Sequence, residues 1–428
     1  MTVPFGHEFR KKYFDRLAPD VIPVNHASYG LTPTPIHEKY ISALNHDHEF
    51  PDRYIRFELK NDYVASLKAL GTFLNTDYRN LALVDNTTTG VNTVLRSYPF
   101  KKGDKVVVVS TGYDSCVHVV EFLKARVCVE IIVVEVNYPV EDDEIIEKYK
   151  AVFENARPSL ALFDTITSVP GVRFPFEKLV ALCREFDVIS LIDGAHSIGL
   201  IDIDLDKLKP DVYASNLHKW LYVPRGCAVL YVDPRLQGKI HTMPISHSYL
   251  DEETESGLDP EDIKNRFIDK FNFVGSKTYA SISCIVPAIE FRKSIGGEKA
   301  IAKYCHELCL KVGQKITEKV WPGTQIIENQ SKSLITAMIN IEVPIDTFAK
   351  DVGSKGLNVT DLKEVKKCVD TIQYQMAYND KTYLQLFVHG KFYCRFSCQI
   401  YNELEEYVTC CKLLEAAFHD YFSSKSRL

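Results

Sequence analysis

The chain lacks any apolar run approaching the ~18 residues that a membrane-spanning helix needs, so the sequence predicts no transmembrane segment. It also lacks a basic excess. Its 51 Lys and Arg stand against 57 Asp and Glu, a formal net charge of −6 that is unlike the electropositive footprint of a nucleic-acid binder. The opening segment MTVPFGHEFRKKYFDRL has no apolar core and mixes acids among its bases, unlike a secretory signal or a transit peptide. Twelve cysteines are present without a repeated CxxC spacing or a dense short framework, so neither a zinc module nor a disulfide scaffold is expected. Cys305 and Cys309 around His306, and the adjacent Cys410 and Cys411, fall in helical-looking stretches and read as small buried hydrophobes. No internal repeat or low-complexity tract is evident. These absences together predict a reduced, cytoplasmic setting, no bound metal and no nucleic-acid or membrane partner.

What is present is an ordinary globular composition, 46% hydrophobic and 25% charged, over a length of 428 residues that accommodates two domains. From about residue 80 to 232 strand-like and helix-like stretches alternate, which predicts a mainly parallel sheet covered by helices. Expected strands include 81–84, 106–110, 126–136, a strand ending at Asp164, one ending at Asp193, and 212–215. The acidic EDDEIIEKYKAVFENA reads as a solvated helix. Beyond Val232 an acidic, loop-rich segment spans 246–266, and a smaller α+β region follows with strand-like LITAMINIEV, YLQLFVHG and YCRFSCQIY before a closing amphipathic helix.

Polar groups gather just past the expected strand ends. Asp193, His196, Asn216, His218 and Lys219 lie where open α/β sheets place their ligands. Asn86-Thr87-Thr88-Thr89-Gly90 opens a helix, and its free amides and hydroxyls suit an anion as well as they suit a plain N-cap. Asn25, His26 and Ser28, before the turn marked by Gly30, are either a lid over a site or a satisfied turn. Arg53 and Arg56 in EFPDRYIRF are equally open, as contacts to an anionic substrate or as solvated charges.

The motifs DGAHSIG and ASNLHKWLYVPRG, with NHASYG, NTTTGVN, FVGS and CRFSCQIYNE in order, resemble the class V family of pyridoxal-phosphate (PLP) enzymes of fold type I. Within it the chain is similar to the branch of hercynylcysteine sulfoxide lyases and isopenicillin N epimerase-like proteins. The resemblance covers most of the chain. It implies an N-terminal segment (1–60) packed near the active site, a large PLP-binding α/β domain (61–275) and a small α+β domain (276–428), assembled as a homodimer with shared sites.

Carried over by position, the resemblance makes Lys219 the residue that binds the cofactor aldehyde and then removes the substrate Cα proton, work suited to a desolvated amine. Asp193 would pair with the pyridine nitrogen, His196 with the phenolic oxygen, and Tyr113 would stack on the ring. Thr87 and Thr88 would hold the phosphate with Asn216 and His218, and Ser276 would reach the phosphate of the partner subunit. Arg395 would clamp the substrate carboxylate, with Asn25, His26 and Thr167 on the substrate side; a structural salt bridge is the alternative role for Arg395. The family's reactions diverge, and Cys368 has roughly the spacing of a desulfurase nucleophile but sits in the helical-looking EVKKCVDT. The resulting expectation is a carbon–sulfur lyase that acts on a cysteine conjugate, such as hercynylcysteine sulfoxide in ergothioneine biosynthesis, and releases pyruvate and ammonia. Desulfhydrase, desulfurase and epimerase chemistry stand as alternatives, as does a scaffold that has lost catalysis, against which the retention of Asp193, Lys219 and Arg395 speaks.

Overall fold

A computed structural model of the protein describes residues 3–425. Short β-branched and aliphatic runs form the large sheet: β1 (Leu81–Val84), β2 (Lys105–Val109), β3 (Glu130–Val134), β4 (Leu160–Asp164), β5 (Ile189–Asp193), β6 (Val212–Asn216) and β7 (Ala228–Val232). Most are buried along their whole length, as expected when helices cover both faces of a parallel sheet. The seven strands follow the order β1-β7-β6-β5-β4-β2-β3. Only β7 runs against its neighbours, pairing antiparallel with both β6 and β1. The carboxyl ends of the other six strands therefore share one edge. In the register of β4 with β5, Asp164 lies directly beside Asp193.

A second, antiparallel sheet of β8 (Met338–Glu342), β9 (Gln385–His389) and β10 (Lys391–Ser397) has the order β8-β10-β9. It packs with helices Ile345–Asp351, Leu362–Tyr378 and Leu404–Lys425 around a core of its own that includes Ile339, Ile341, Phe392, Phe396 and Phe418. The N-terminal segment is stitched to this sheet by bridges of Ile22 with Thr382 and Asn25 with Ser397. That attachment carries residues 25–30 across to the strand-end edge of the large sheet. There Gly30 has a φ of +68°, and a Cβ on it would fall 1.9 Å from the His218 carbonyl oxygen, so only glycine lets the two backbones approach.

Two local expectations change. The stretch 126–136 is not one strand: helix Asp114–Val127 runs through Arg126, Cys128 turns left-handed with φ +61°, and β3 begins at Glu130. The segment 246–266 is less loop-like than its composition implies, because Asp251 and Asp259 each cap a helix, Glu252–Ser256 and Pro260–Asn272. Cys368, as its helical-looking surroundings predict, lies inside helix Leu362–Tyr378 and is fully buried. Among the described residues no helix is long and apolar enough to cross a membrane.

Candidate active site

The shared edge of the strands concentrates chemistry because its three adjacent central strands, β4, β5 and β6, stop at Asp164, Asp193 and Asn216. β5 ends in Asp193, 3% exposed, whose Oδ1 accepts the Ala195 N–H at 2.9 Å and whose Oδ2 accepts the Cys116 thiol at 3.2 Å. Burial raises its pKa, with the Ala195 amide, the thiol and Lys219 pulling the other way. Asp164 is pushed well above the usual carboxylate range by burial and by the charge of Asp193 beside it. The pair therefore forms a low-dielectric acidic floor under the lysine.

Lys219 follows β6, and its Nζ lies 3.3 Å from His196 Nε2. Burial lowers the lysine pKa to about 8, against the opposing attraction of Asp193. A substantial fraction of such an amine is neutral near physiological pH, which makes it both nucleophile and base. His196 is 2% exposed and held neutral, its pKa pushed well down by burial and then by the cations Lys219 and Arg395.

An anion cradle lies next to it. Helix Thr87–Ser97 starts after Asn86, whose Oδ1 accepts the Thr89 N–H at 2.8 Å. The Thr87 N–H donates to Asn216 Oδ1 at 3.0 Å, which joins the helix start to the end of β6. The Thr87 hydroxyl is buried and has no hydrogen-bond partner among the described residues. Buried polar groups are seldom left so, and an orphan hydroxyl at a helix N-terminus is what a bound anion would complete. His218 donates from Nδ1 to the Cys227 carbonyl at 3.1 Å, and burial lowers its pKa to about 4.

A second anion position surrounds Arg395 of β10. This guanidinium is 2% exposed and donates only to neutral atoms: from Nη1 to the Ser168 carbonyl at 2.6 Å, and from Nη2 to Asn25 Oδ1 and Ser28 Oγ, both at 3.0 Å. Its Nε has no hydrogen-bond partner among the described residues. Burial lowers its pKa to about 10, and Tyr383 alone acts against that shift. Among the described residues no carboxylate pairs with it, so the salt-bridge role does not apply. A buried cation without a counter-ion is costly, and an anionic ligand would offset the cost. Gly171 packs on its stem, where a Cβ would lie 2.8 Å from Arg395 Cδ.

The remaining expected site residues divide. Tyr113 caps the helix after β2 and is 45% exposed, and Thr88 is half-buried beside Thr87. Ser276 is exposed in the loop before the 3-10 turn Ile282–Cys284. His26 departs from its expected place on the substrate side: it is 4% exposed, Nε2 donates to the Lys219 carbonyl at 2.7 Å, and Nδ1 accepts from the Tyr401 hydroxyl at 2.8 Å. With both ring nitrogens spent it stands behind the lysine as backbone support. Thr167 departs likewise, because its hydroxyl donates to the Pro170 carbonyl at 2.6 Å and serves its own turn. Arg53 and Arg56 pair with Glu58 and Asp52 at the surface. Sequence reasoning passed over Ser168, Cys116 and Arg292. Nothing local marks Arg292, which reaches the site only through tertiary packing.

The family model for aminotransferase class V matches residues 55–407. Among curated proteins, hercynylcysteine sulfoxide lyase of Schizosaccharomyces pombe is 29% identical over 412 residues, covering 96% of this chain and 97% of the relative. A probable chloroplastic L-cysteine desulfhydrase of Arabidopsis thaliana is 30% identical, with 92% and 82% covered. Among solved structures, a C-DES mutant with glycine covalently linked to its PLP cofactor superposes with a TM-score of 0.73 at 16% identity, covering 95% of this chain and 98% of that one.

Proposed function

The chain belongs to the aminotransferase class V family, and on that premise we propose that it is a PLP-dependent carbon–sulfur lyase acting on a cysteine conjugate. The residues fit the cofactor: an amine of lowered pKa, a buried carboxylate, and an orphan threonine hydroxyl at a helix N-terminus are the three partners an aldehyde, a ring nitrogen and a phosphate require. Lys219 would be the covalent anchor, Asp193 would hold the ring-nitrogen proton, and His196 would donate to the phenolic oxygen. Thr87, Thr88, Asn216 and His218 would hold the phosphate, and Tyr113 would cover the ring. Ser276, exposed on its own subunit, would reach the phosphate of a second copy, which makes the working unit a homodimer.

When bound, PLP supplies an electron sink that acidifies the substrate Cα–H. Arg395, steadied by Asn25 and Ser28, binds the substrate carboxylate as a fork and thereby directs the Cα proton at Lys219. Nζ of Lys219 takes that proton as the Cβ–S bond breaks and sulfur leaves with the bonding electrons. Water completes the conversion of the three-carbon fragment to pyruvate and ammonia. His196, kept neutral by burial, is a hydrogen-bond donor rather than a competing cation.

Elimination is favoured over desulfuration by one observation. A desulfurase needs a mobile cysteine nucleophile, whereas Cys368 is fully buried within a helix. The likeness to the S. pombe lyase supports a sulfoxide of a cysteine conjugate as the substrate. Product analysis separates the possibilities: pyruvate for the lyase, inverted substrate for an epimerase, alanine and enzyme-bound persulfide for a desulfurase.

A further inference from the structure

The residue after the lysine, Trp220, is 1% exposed, and its indole Nε1 donates to His196 Nδ1 at 3.3 Å. An indole nitrogen can only donate, so Nδ1 must accept. A ring whose Nδ1 accepts a hydrogen bond is neutral and carries a single N–H, as its burial also favours. That hydrogen is then on Nε2, the nitrogen 3.3 Å from Lys219 Nζ, and the lysine must receive it as a neutral amine.

Trp220 is itself held in place. Arg292, 1% exposed, donates from Nη1 to the Trp220 carbonyl and from Nη2 to the Gly199 carbonyl, both at 2.7 Å, and pairs through Nε with Glu298 at 2.7 Å. One guanidinium fork thus ties the turn after His196 to the turn after Lys219. The guanidinium also sits over the Tyr222 ring, 4.9 Å from its centroid. His26 completes the support, holding the Lys219 carbonyl while its ring lies 5.0 Å from that of Trp220.

We propose that Trp220, anchored by Arg292, is a positioning residue that fixes His196 as its Nε2–H tautomer and so presents a donor to Lys219. The donor stabilises the neutral amine over the ammonium. Removing the indole N–H frees the imidazole to adopt either tautomer, and part of the population then turns a lone pair toward the lysine.

The inference rests on the proposed lysine chemistry for one of its two tests only. In the first, ring nitrogen signals of 15N-histidine-labelled apoenzyme are recorded, His196 being identified by its loss in His196→Gln. The wild type is expected to show one tautomer, protonated at Nε2, and Trp220→Phe a mixture; an unchanged tautomer in Trp220→Phe would overturn the proposal. In the second, the rate of PLP uptake by apoenzyme is followed against pH. Trp220→Phe is expected to raise the midpoint by about one unit with His196 in place. The same change should have little effect in the His196→Gln background, where the glutamine amide donates without a tautomer choice. Equal shifts in both backgrounds would mean that Trp220 only packs. Arg292→Lys keeps the charge but loses the fork, and is expected to give a smaller shift in the same direction, which serves if Trp220→Phe folds poorly. A protein that binds no PLP would sink the cofactor reading and leave the tautomer result standing.

Discussion

Changing the pH under the apoenzyme tests the lysine environment at its most quantitative point. Burial lowers Lys219 from the ordinary 10.5 to about 8. At pH 7 an amine of that kind is about 9% neutral, against roughly 0.03% for an unperturbed lysine, a gain of about 300-fold in reactive amine. Mixing apoenzyme with PLP and following the visible absorbance in a stopped-flow instrument should therefore give an uptake rate that rises tenfold per unit below pH 8 and levels above it. Asp193 is the main group opposing the shift, so Asp193→Asn should move the break to lower pH and speed uptake at pH 7 while weakening retention of the cofactor. Lys219→Ala should lack the covalent phase at every pH. A rate that keeps climbing through pH 10, like that of a solvent-exposed lysine, would refute the claim that the pocket primes this amine.

Other perturbations separate roles that geometry assigns to single groups. Arg395→Lys keeps a cation but loses the planar fork, so the substrate KM should rise about 10- to 100-fold, on the order of 1.4–3 kcal/mol, with a smaller change in kcat; an unchanged KM would remove Arg395 from substrate binding. Thr87→Val deletes a hydroxyl that no described protein group uses, so PLP affinity should fall about tenfold while the melting temperature of the apoenzyme holds. A drop in apoenzyme stability without loss of affinity would mean that the hydroxyl serves the fold. Cys368→Ala should cost stability through lost packing yet leave pyruvate formation intact. Loss of turnover by the folded variant would reopen the desulfurase route.

Much of the large sheet was legible because parallel strands buried on both faces appear as unbroken apolar runs, and because Asp193, Asn216 and Lys219 follow their strands within a few residues. The strand expected at 126–136 failed for a local reason. Val127 continues a helix whose earlier residues, Cys116, Val119, Val120 and Leu123, already form its buried face, and periodicity alone does not place the left-handed stop at Cys128. His26 was misjudged because a polar residue near a glycine turn looks alike whether it faces a ligand or a carbonyl; only its bonds to Lys219 and to Tyr401 distinguish the two. The Asn25–Arg395 contact joins residues 370 apart, and Arg292 reaches the Gly199 carbonyl across 93 positions, separations that carry no signal in a single sequence.

The central claim, that Lys219 and Arg395 serve one elimination reaction, is tested most directly by supplying purified, PLP-loaded protein with S-substituted cysteines and their sulfoxides and measuring pyruvate. The account predicts a visible cofactor band and stoichiometric pyruvate and ammonia from at least one sulfoxide conjugate, with product formation abolished in Lys219→Ala. Alanine with persulfide, inverted substrate without pyruvate, or a protein that stays colourless with added PLP would contradict it.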